Sequence, residues 1–307
     1  KKNILVIIGG RGIGDLIYHL PLLKSLYKTY KKKVYILSNK INQSKEVFKN
    51  EKFYEKIIEF DNERFSIIKA IKHVFYLKKI INSLNPEYIF LTSNTTRLNI
   101  PVILSNAKKK YILESGIFLF NKNNYGDNFT FSQKILKFTN DLRLKSKDNS
   151  FLLNKTKFKI NKKKNIKKKN IFVVLDSHHD QNNWPIENFV KIIKKLYVKN
   201  KIYINFSPNK KFLLKNFPSK IKRSKNIQFT HKYKISEIIN IINTCDVVIG
   251  NETGPICLGS ALQKKVHAIY TPLNTLPESK VISNKNNYYN TYSLSTGEII
   301  NKILKLI

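Results

Sequence analysis

Cysteine is scarce in this chain of 307 residues, which has only Cys245 and Cys257. Two thiols make no disulfide framework, and neither has a companion Cys or His at metal-ligand spacing. The adjacent pair His178-His179 does not repair this, because neighbouring side chains on a strand point to opposite faces. A metal site is therefore not expected. Long apolar runs are also missing: no stretch reaches the roughly 20 residues that a membrane-crossing helix needs. Residues 3–8 read as a strand with no signal-peptide pattern, so a soluble, cytoplasmic protein is expected.

Acidic residues are the third shortage, with 20 Asp and Glu against 57 Lys and Arg and a formal charge of +37. Such an excess ordinarily points to nucleic acid. Here it is nearly all Lys, spread through helices and loops amid Asn and Ile, the mixture that AT-rich codons encode. No arginine-rich segment, zinc finger or aromatic RNA-binding motif is present, so no specific nucleic-acid partner is expected. Most of the excess therefore reads as compositional drift, which still favours peripheral contact with an anionic membrane, since a basic residue near such a surface gains about 1 kcal/mol.

What is present is strand-helix alternation with enough apolar residues, 42%, for real cores. Residues 3–8, 33–37, 56–60, 88–92 and 110–113 read as strands, and 15–30, 42–48, 65–84 and 132–144 as helices. Residues 115–130 break the rhythm with aromatics, Asn and Gly and read as a loop. A basic, low-complexity run at 155–170 has nothing to build a core from and reads as a linker. Alternation then restarts, with strands at 171–175, 201–206, 227–229, 246–250 and 265–270. Helices follow at 185–198, 210–217, 235–244 and 295–306. The pattern predicts an N-terminal domain at 1–154, a linker at 155–170, a C-terminal domain at 171–294 and a final helix at 295–307. Each domain is α/β with a parallel sheet, and ligands bind at the carboxyl ends of its strands.

Two loops carry chemistry. Gly9-Gly10-Arg11-Gly12-Ile13-Gly14-Asp15 joins the first strand to the first helix. It fails the G-x-G-x-x-G spacing, and the second strand ends without an acid, so a nicotinamide dinucleotide is not expected. The loop permits close approach and sets Asp15 at a helix N-terminus, where it serves either as a favourable charge for the helix dipole or as a general base. The second loop, Gly250-Asn251-Glu252-Thr253-Gly254-Pro255, runs from a buried strand into a small-residue helix whose first N–H groups attract anions. Thr253 suits either a helix cap or a phosphate contact, and Pro255 suits the first turn. Glu252 beside a phosphate site suits sugar hydroxyls.

These two loops, with Trp184-Pro185 between them, resemble the ADP-heptose lipopolysaccharide heptosyltransferase family. The match runs from Arg11, Gly14, Asp15 and Pro21-Leu22-Leu23 through Trp184-Pro185 to Gly250-Asn251-Glu252-Thr253-Gly254 and Leu258-Gly259-Ser260-Ala261. The resemblance implies the GT-B fold, two Rossmann-like αβα domains with an interdomain cleft. It implies an inverting, metal-independent glycosyltransferase that needs no cofactor. A sugar, heptose in the family, would pass from a nucleotide-diphosphate donor such as ADP-heptose to a lipopolysaccharide or related surface glycan at the inner face of the cytoplasmic membrane.

In that reading Asp15 is the catalytic base. Asn182, Trp184, Asn251, Glu252, Thr253, Gly254, Pro255 and Cys257 lie on the donor side. Arg11, Gly12 and Gly14 meet phosphates of acceptor or donor. The chain departs from the family at Glu252, where Asp is usual, at Cys257, where His is usual, and at Asn182, where Lys holds the diphosphate. No acid for the nucleoside ribose stands near Ser207-Pro208-Asn209. A non-catalytic relative that binds glycan or nucleotide-sugar, and a GT-B enzyme for a different sugar, are the alternatives.

Overall fold

The computed structural model describes residues 3–10, 12–61, 66–93, 95–113, 129–154, 168–177, 183–270, 280, 282, 283 and 286–307. The expectations placed on Arg11, Asn182, His178-His179, residues 115–128 and residues 155–167 lie outside the described residues. The chain divides into two compact units, Lys1–Phe151 and Leu152–Ile307.

The first unit runs β1 (Asn3–Ile8), α1 (Ile13–Tyr18), α2 (Leu20–Tyr30), β2 (Val34–Asn39), α3 (Ser44–Val47), β3 (Tyr54–Phe60), α4 (Ile67–Ser83), β4 (Pro86–Leu91), α5 (Thr96–Ile103), β5 (Lys109–Ile112) and α6 (Phe131–Asp141). Its strands pair in parallel in the order β3-β2-β1-β4-β5. The near-continuous apolar sequence of β1 is what a strand covered on both faces requires. Leu5, Ile7, Leu37, Ile89 and Leu91 pack from the sheet against Leu77, Ile81, Leu98 and Val102 of α4 and α5.

The second unit runs β6 (Asn170–Val174), α7 (Ile186–Leu196), β7 (Lys201–Asn205), a 3-10 segment (Pro208–Asn216), α8 (Ser219–Lys222), β8 (Ile227–Phe229), α9 (Ile235–Thr244), β9 (Val247–Asn251), α10 (Gly254–Ala261), β10 (Lys265–Tyr270), β11 (Asn287–Asn290) and α11 (Thr296–Leu306). Its parallel order is β11-β10-β9-β6-β7-β8. On α7, Phe189, Val190, Ile192, Ile193 and Leu196 are buried and Lys191, Lys194 and Lys195 face water, the stripe expected of a helix lying on a sheet. Ile299, Ile300 and Ile303 place α11 in the same core.

The structure amends several sequence expectations. The single helix expected over 15–30 is two helices that meet at His19. Pro21 explains the break, because it has no N–H to continue the ladder of α1 and suits the first turn of α2 instead. Helices α5 and α8 and strand β11 were not anticipated. Strand β11, Asn-Tyr-Tyr-Asn, is an edge strand in which only Tyr289 is fully covered, so its sequence carries little apolar signal. The Leu153 N–H donates to the Ala261 carbonyl at 3.1 Å. The chain is thus already in the second unit before the basic run expected as its linker.

Candidate active site

In each unit the strand order reverses once, between β1 and β4 in the first sheet and between β6 and β9 in the second. At such a switch point the outgoing loops diverge and leave a crevice at the strand carboxyl ends, the usual ligand position of open α/β sheets. Both motif loops sit at one of these points.

In the first unit, Gly9 and Gly10 follow β1. A Cβ on Gly9 would lie 2.3 Å from the Ser93 side chain, so glycine is what lets this loop pass against the one that follows β4. A Cβ on Gly10 would lie 2.4 Å from the Asp15 carboxyl carbon, so the second glycine makes room for that carboxylate. Asp15 is the third residue of α1, and its Oδ2 accepts the Gly12 N–H at 2.8 Å. Gly12 adopts extended backbone as the N-cap, and Gly14 lies in the first turn.

Behind Asp15 stands His19, which is fully buried. Its Nδ1 is 2.5 Å from the Asp15 carbonyl, and its Nε2 is 2.5 Å from Thr92 Oγ1 at the end of β4. Burial pushes the imidazole down to about 4, so the ring is neutral at physiological pH. A carbonyl only accepts, so Nδ1 carries the proton and Nε2 accepts from the Thr92 hydroxyl. The ring thereby ties the helix that carries Asp15 to the neighbouring strand across the switch point.

In the second unit, a Cβ on Gly250 would lie 2.3 Å from the Val174 carbonyl oxygen, so only glycine permits β9 to run this close to β6. Asn251 is fully buried, and its amide links three segments. Nδ2 donates to the Leu175 carbonyl at 2.7 Å, and Oδ1 accepts the Trp184 N–H at 2.9 Å. The Glu252 N–H donates to the Ile269 carbonyl at 3.0 Å, which continues the ladder with β10.

Thr253 is the N-cap of α10, but its side chain does not cap the helix; its hydroxyl donates to the Asn251 carbonyl at 3.2 Å. Pro255 has no N–H, and the N–H groups of Ile256 and Cys257 both donate to the Thr253 carbonyl. The groups at this helix end with no intrahelical acceptor are therefore the N–H of Thr253 and of Gly254. Of the residues expected on the donor side, two have buried side chains: Cys257 is 1% exposed, and Trp184, 3% exposed, meets Phe189 edge-on at 5.0 Å. The Trp-Pro pair anchors the start of α7, while Cys257 lies buried in the first turn of α10.

Sequence reasoning missed a polar cluster at the ends of β6 and β7. The Asp176 carboxylate accepts the Ser207 N–H at 3.1 and 3.2 Å, so an acid does stand at this loop, supplied from another strand. Lys210 Nζ lies 3.7 Å from Asp176 Oδ2 and donates to the Ser177 carbonyl at 3.1 Å. The Ser177 N–H in turn donates to Asn183 Oδ1 at 2.5 Å, beside Trp184. Among 57 Lys and Arg, nothing in the sequence marks Lys210 out.

The profile of glycosyltransferase family 9 (heptosyltransferase) matches residues 97–295. A search of curated protein sequences finds no match. Among solved structures, the family 9 glycosyl transferase from Veillonella parvula DSM 2008 is similar over 100% of this chain and 90% of that one, at 16% identity and a TM-score of 0.77. E. coli heptosyltransferase WaaC, solved with ADP, is similar at 12% identity over 99% and 98% of the two chains, with a TM-score of 0.73. E. coli ADP-heptose lipopolysaccharide heptosyltransferase II is similar at 13% identity over the same shares, with a TM-score of 0.72. At these identities the likeness shows the fold, the GT-B arrangement of two Rossmann-like domains. The family profile spans well over half of the residues, and so the chain belongs to glycosyltransferase family 9, the heptosyltransferases, and is a glycosyltransferase.

Proposed function

We propose that the protein is an inverting, metal-independent transferase that moves a sugar, heptose first among candidates, from a nucleotide-diphosphate donor to a lipopolysaccharide or related surface glycan. The observation that carries this reading is the start of α10. It is a helix N-terminus without a side-chain cap, set at the switch point of the second sheet, with the Thr253 and Gly254 N–H groups left for an anion. The E. coli relative solved with ADP supports a nucleotide-diphosphate donor. Glu252 addresses the donor sugar hydroxyls. Asp15, held by the Gly12 N–H and by His19, is the base that takes the proton from the acceptor hydroxyl as its oxygen attacks the sugar anomeric carbon. The leaving diphosphate keeps the bond electrons. No cofactor is required, and peripheral contact with an anionic membrane belongs to the same reading, supported by the charge of +37.

The family cations are replaced in this chain by Asn182 and Cys257. Lys210 supplies the positive charge in their stead, held at the carboxyl ends of β6 and β7 by Asp176 and the Ser177 carbonyl. The test is calorimetry with ADP, UDP, GDP and CDP without added metal, on the wild type and on Lys210→Gln and Glu252→Gln. One diphosphate is expected to bind selectively. Lys210→Gln should weaken it about tenfold while leaving the nucleoside alone almost unaffected, the size of one charge-assisted contact. Glu252→Gln should weaken the nucleotide-sugar more than the bare diphosphate. If no diphosphate binds at millimolar concentration, the proposed donor reading fails. If one binds and Lys210→Gln is silent, only the role of Lys210 fails.

A further inference from the structure

The two units carry different kinds of surface helix. On α7 the water-facing side is Lys and Glu, as expected. Helix α4 buries Val74, Leu77 and Ile81 toward its sheet, yet its exposed side also carries large apolar side chains. Ile68 is 68% exposed, Ile71 53%, Phe75 59% and Tyr76 54%. At 100° per residue, positions 68, 71 and 75 fall within about 60° of one another, so they form one stripe. The exposed Lys69, Lys72 and Lys79 are interleaved with it, and α4 contains no Asp or Glu. Large apolar side chains on a free helix face mark an interaction surface when they stand together.

Charge decides what that surface fits. A second copy of the chain would set lysine against lysine. A lipid bilayer with anionic headgroups takes the apolar side chains into its boundary and the amines at its phosphates, the pattern of a helix that lies in the membrane plane. At 17 residues the helix presents a strip about 25 Å long. We propose that the solvent face of α4 docks the enzyme flat on an anionic bilayer. This assigns a face to the membrane contact proposed above, but it stands on α4 alone and not on the identity of donor or acceptor.

The test is flotation of the full chain with phosphatidylcholine vesicles, with and without phosphatidylglycerol, in the absence of donor and acceptor. Binding is expected only with the anionic lipid. Phe75→Ser with Ile68→Ser should weaken partitioning roughly tenfold or more. Replacing Lys69, Lys72 and Lys79 with Ser should weaken it about a hundredfold, near fivefold per charge. All these side chains are exposed, so the melting temperature should hold. Replacing Lys191, Lys194 and Lys195 on α7 removes equal charge from an ordinary face and should cost little. The proposal is overturned if the α7 variant loses as much as the α4 variant, if the apolar variants bind like the wild type, or if the α4 changes abolish self-association rather than vesicle binding. Because nucleotide binding plays no part, a failed donor reading leaves this result intact.

Discussion

The two switch-point loops occupy equivalent places in two similar sheets, yet their helix ends are finished in opposite ways. At α1 the helix supplies its own anion, the Asp15 carboxylate accepting the Gly12 N–H. At α10 the candidate cap, Thr253, turns its hydroxyl back to the Asn251 carbonyl, so no side chain caps the helix. One loop therefore presents a negative group, and in the proposed reading the other receives one. A transfer reaction needs both, a base for the incoming hydroxyl and a positive field for the leaving diphosphate.

The largest effect should come from removing the anion of the first loop. Asp15→Ala is expected to lower kcat by about 10²–10⁴-fold, the usual worth of a general base, while diphosphate affinity stays within a few-fold. A loss confined to KM would place Asp15 in binding instead and dissolve the contrast. Second in size is the backbone of the other loop. Gly250→Ala puts a methyl group 2.3 Å from the Val174 carbonyl and should cost about 3 kcal/mol, read as a lower denaturation midpoint. Gly297→Ala is the control, because a Cβ there meets nothing within 4 Å; it should be neutral or slightly stabilising in α11.

The smallest effect is graded by pH. His19 behind the first loop and His267 in β10 are both buried, and burial pushes each imidazole down to about 4. Their ordinary value is 6.5, so between these limits the unfolded chain binds more protons than the folded one. Stability should rise with pH across that window and be lost on acidification through it, by at most about 3 kcal/mol per ring. A denaturation midpoint that stayed flat from neutral pH down to about 4 would show that both rings titrate normally. His267→Phe, which keeps a flat ring parallel to Tyr289, should make the pH slope shallower by the share of that one ring.

Much of this protein was legible in its sequence because the signals were local. Buried parallel strands read as apolar runs, as in β1 and β9. Amphipathic helices read by period, as in α7 and α11. The turns that hold Asp15 and the residues from Gly250 to Pro255 read from sequence because strand-to-helix turns need small residues at fixed spacing, and that need is met within a few residues of chain. The break at His19 was also local, written in Pro21, and was passed over in favour of the apolar period. What sequence did not decide is what burial and long-range contact decide. Trp184 and Cys257 stand in site motifs, yet their side chains serve the core. Lys210 gains its place only when β6 and β7 bring Asp176 beside it, and the apolar face of α4 becomes a surface only once Val74, Leu77 and Ile81 have settled which side lies on the sheet. Sequence alone specified strands, helices and the glycines between them, since those follow from neighbours along the chain. Tertiary structure alone set Lys210 beside Asp176 and told a buried side from an exposed one, since those depend on residues brought together from far apart.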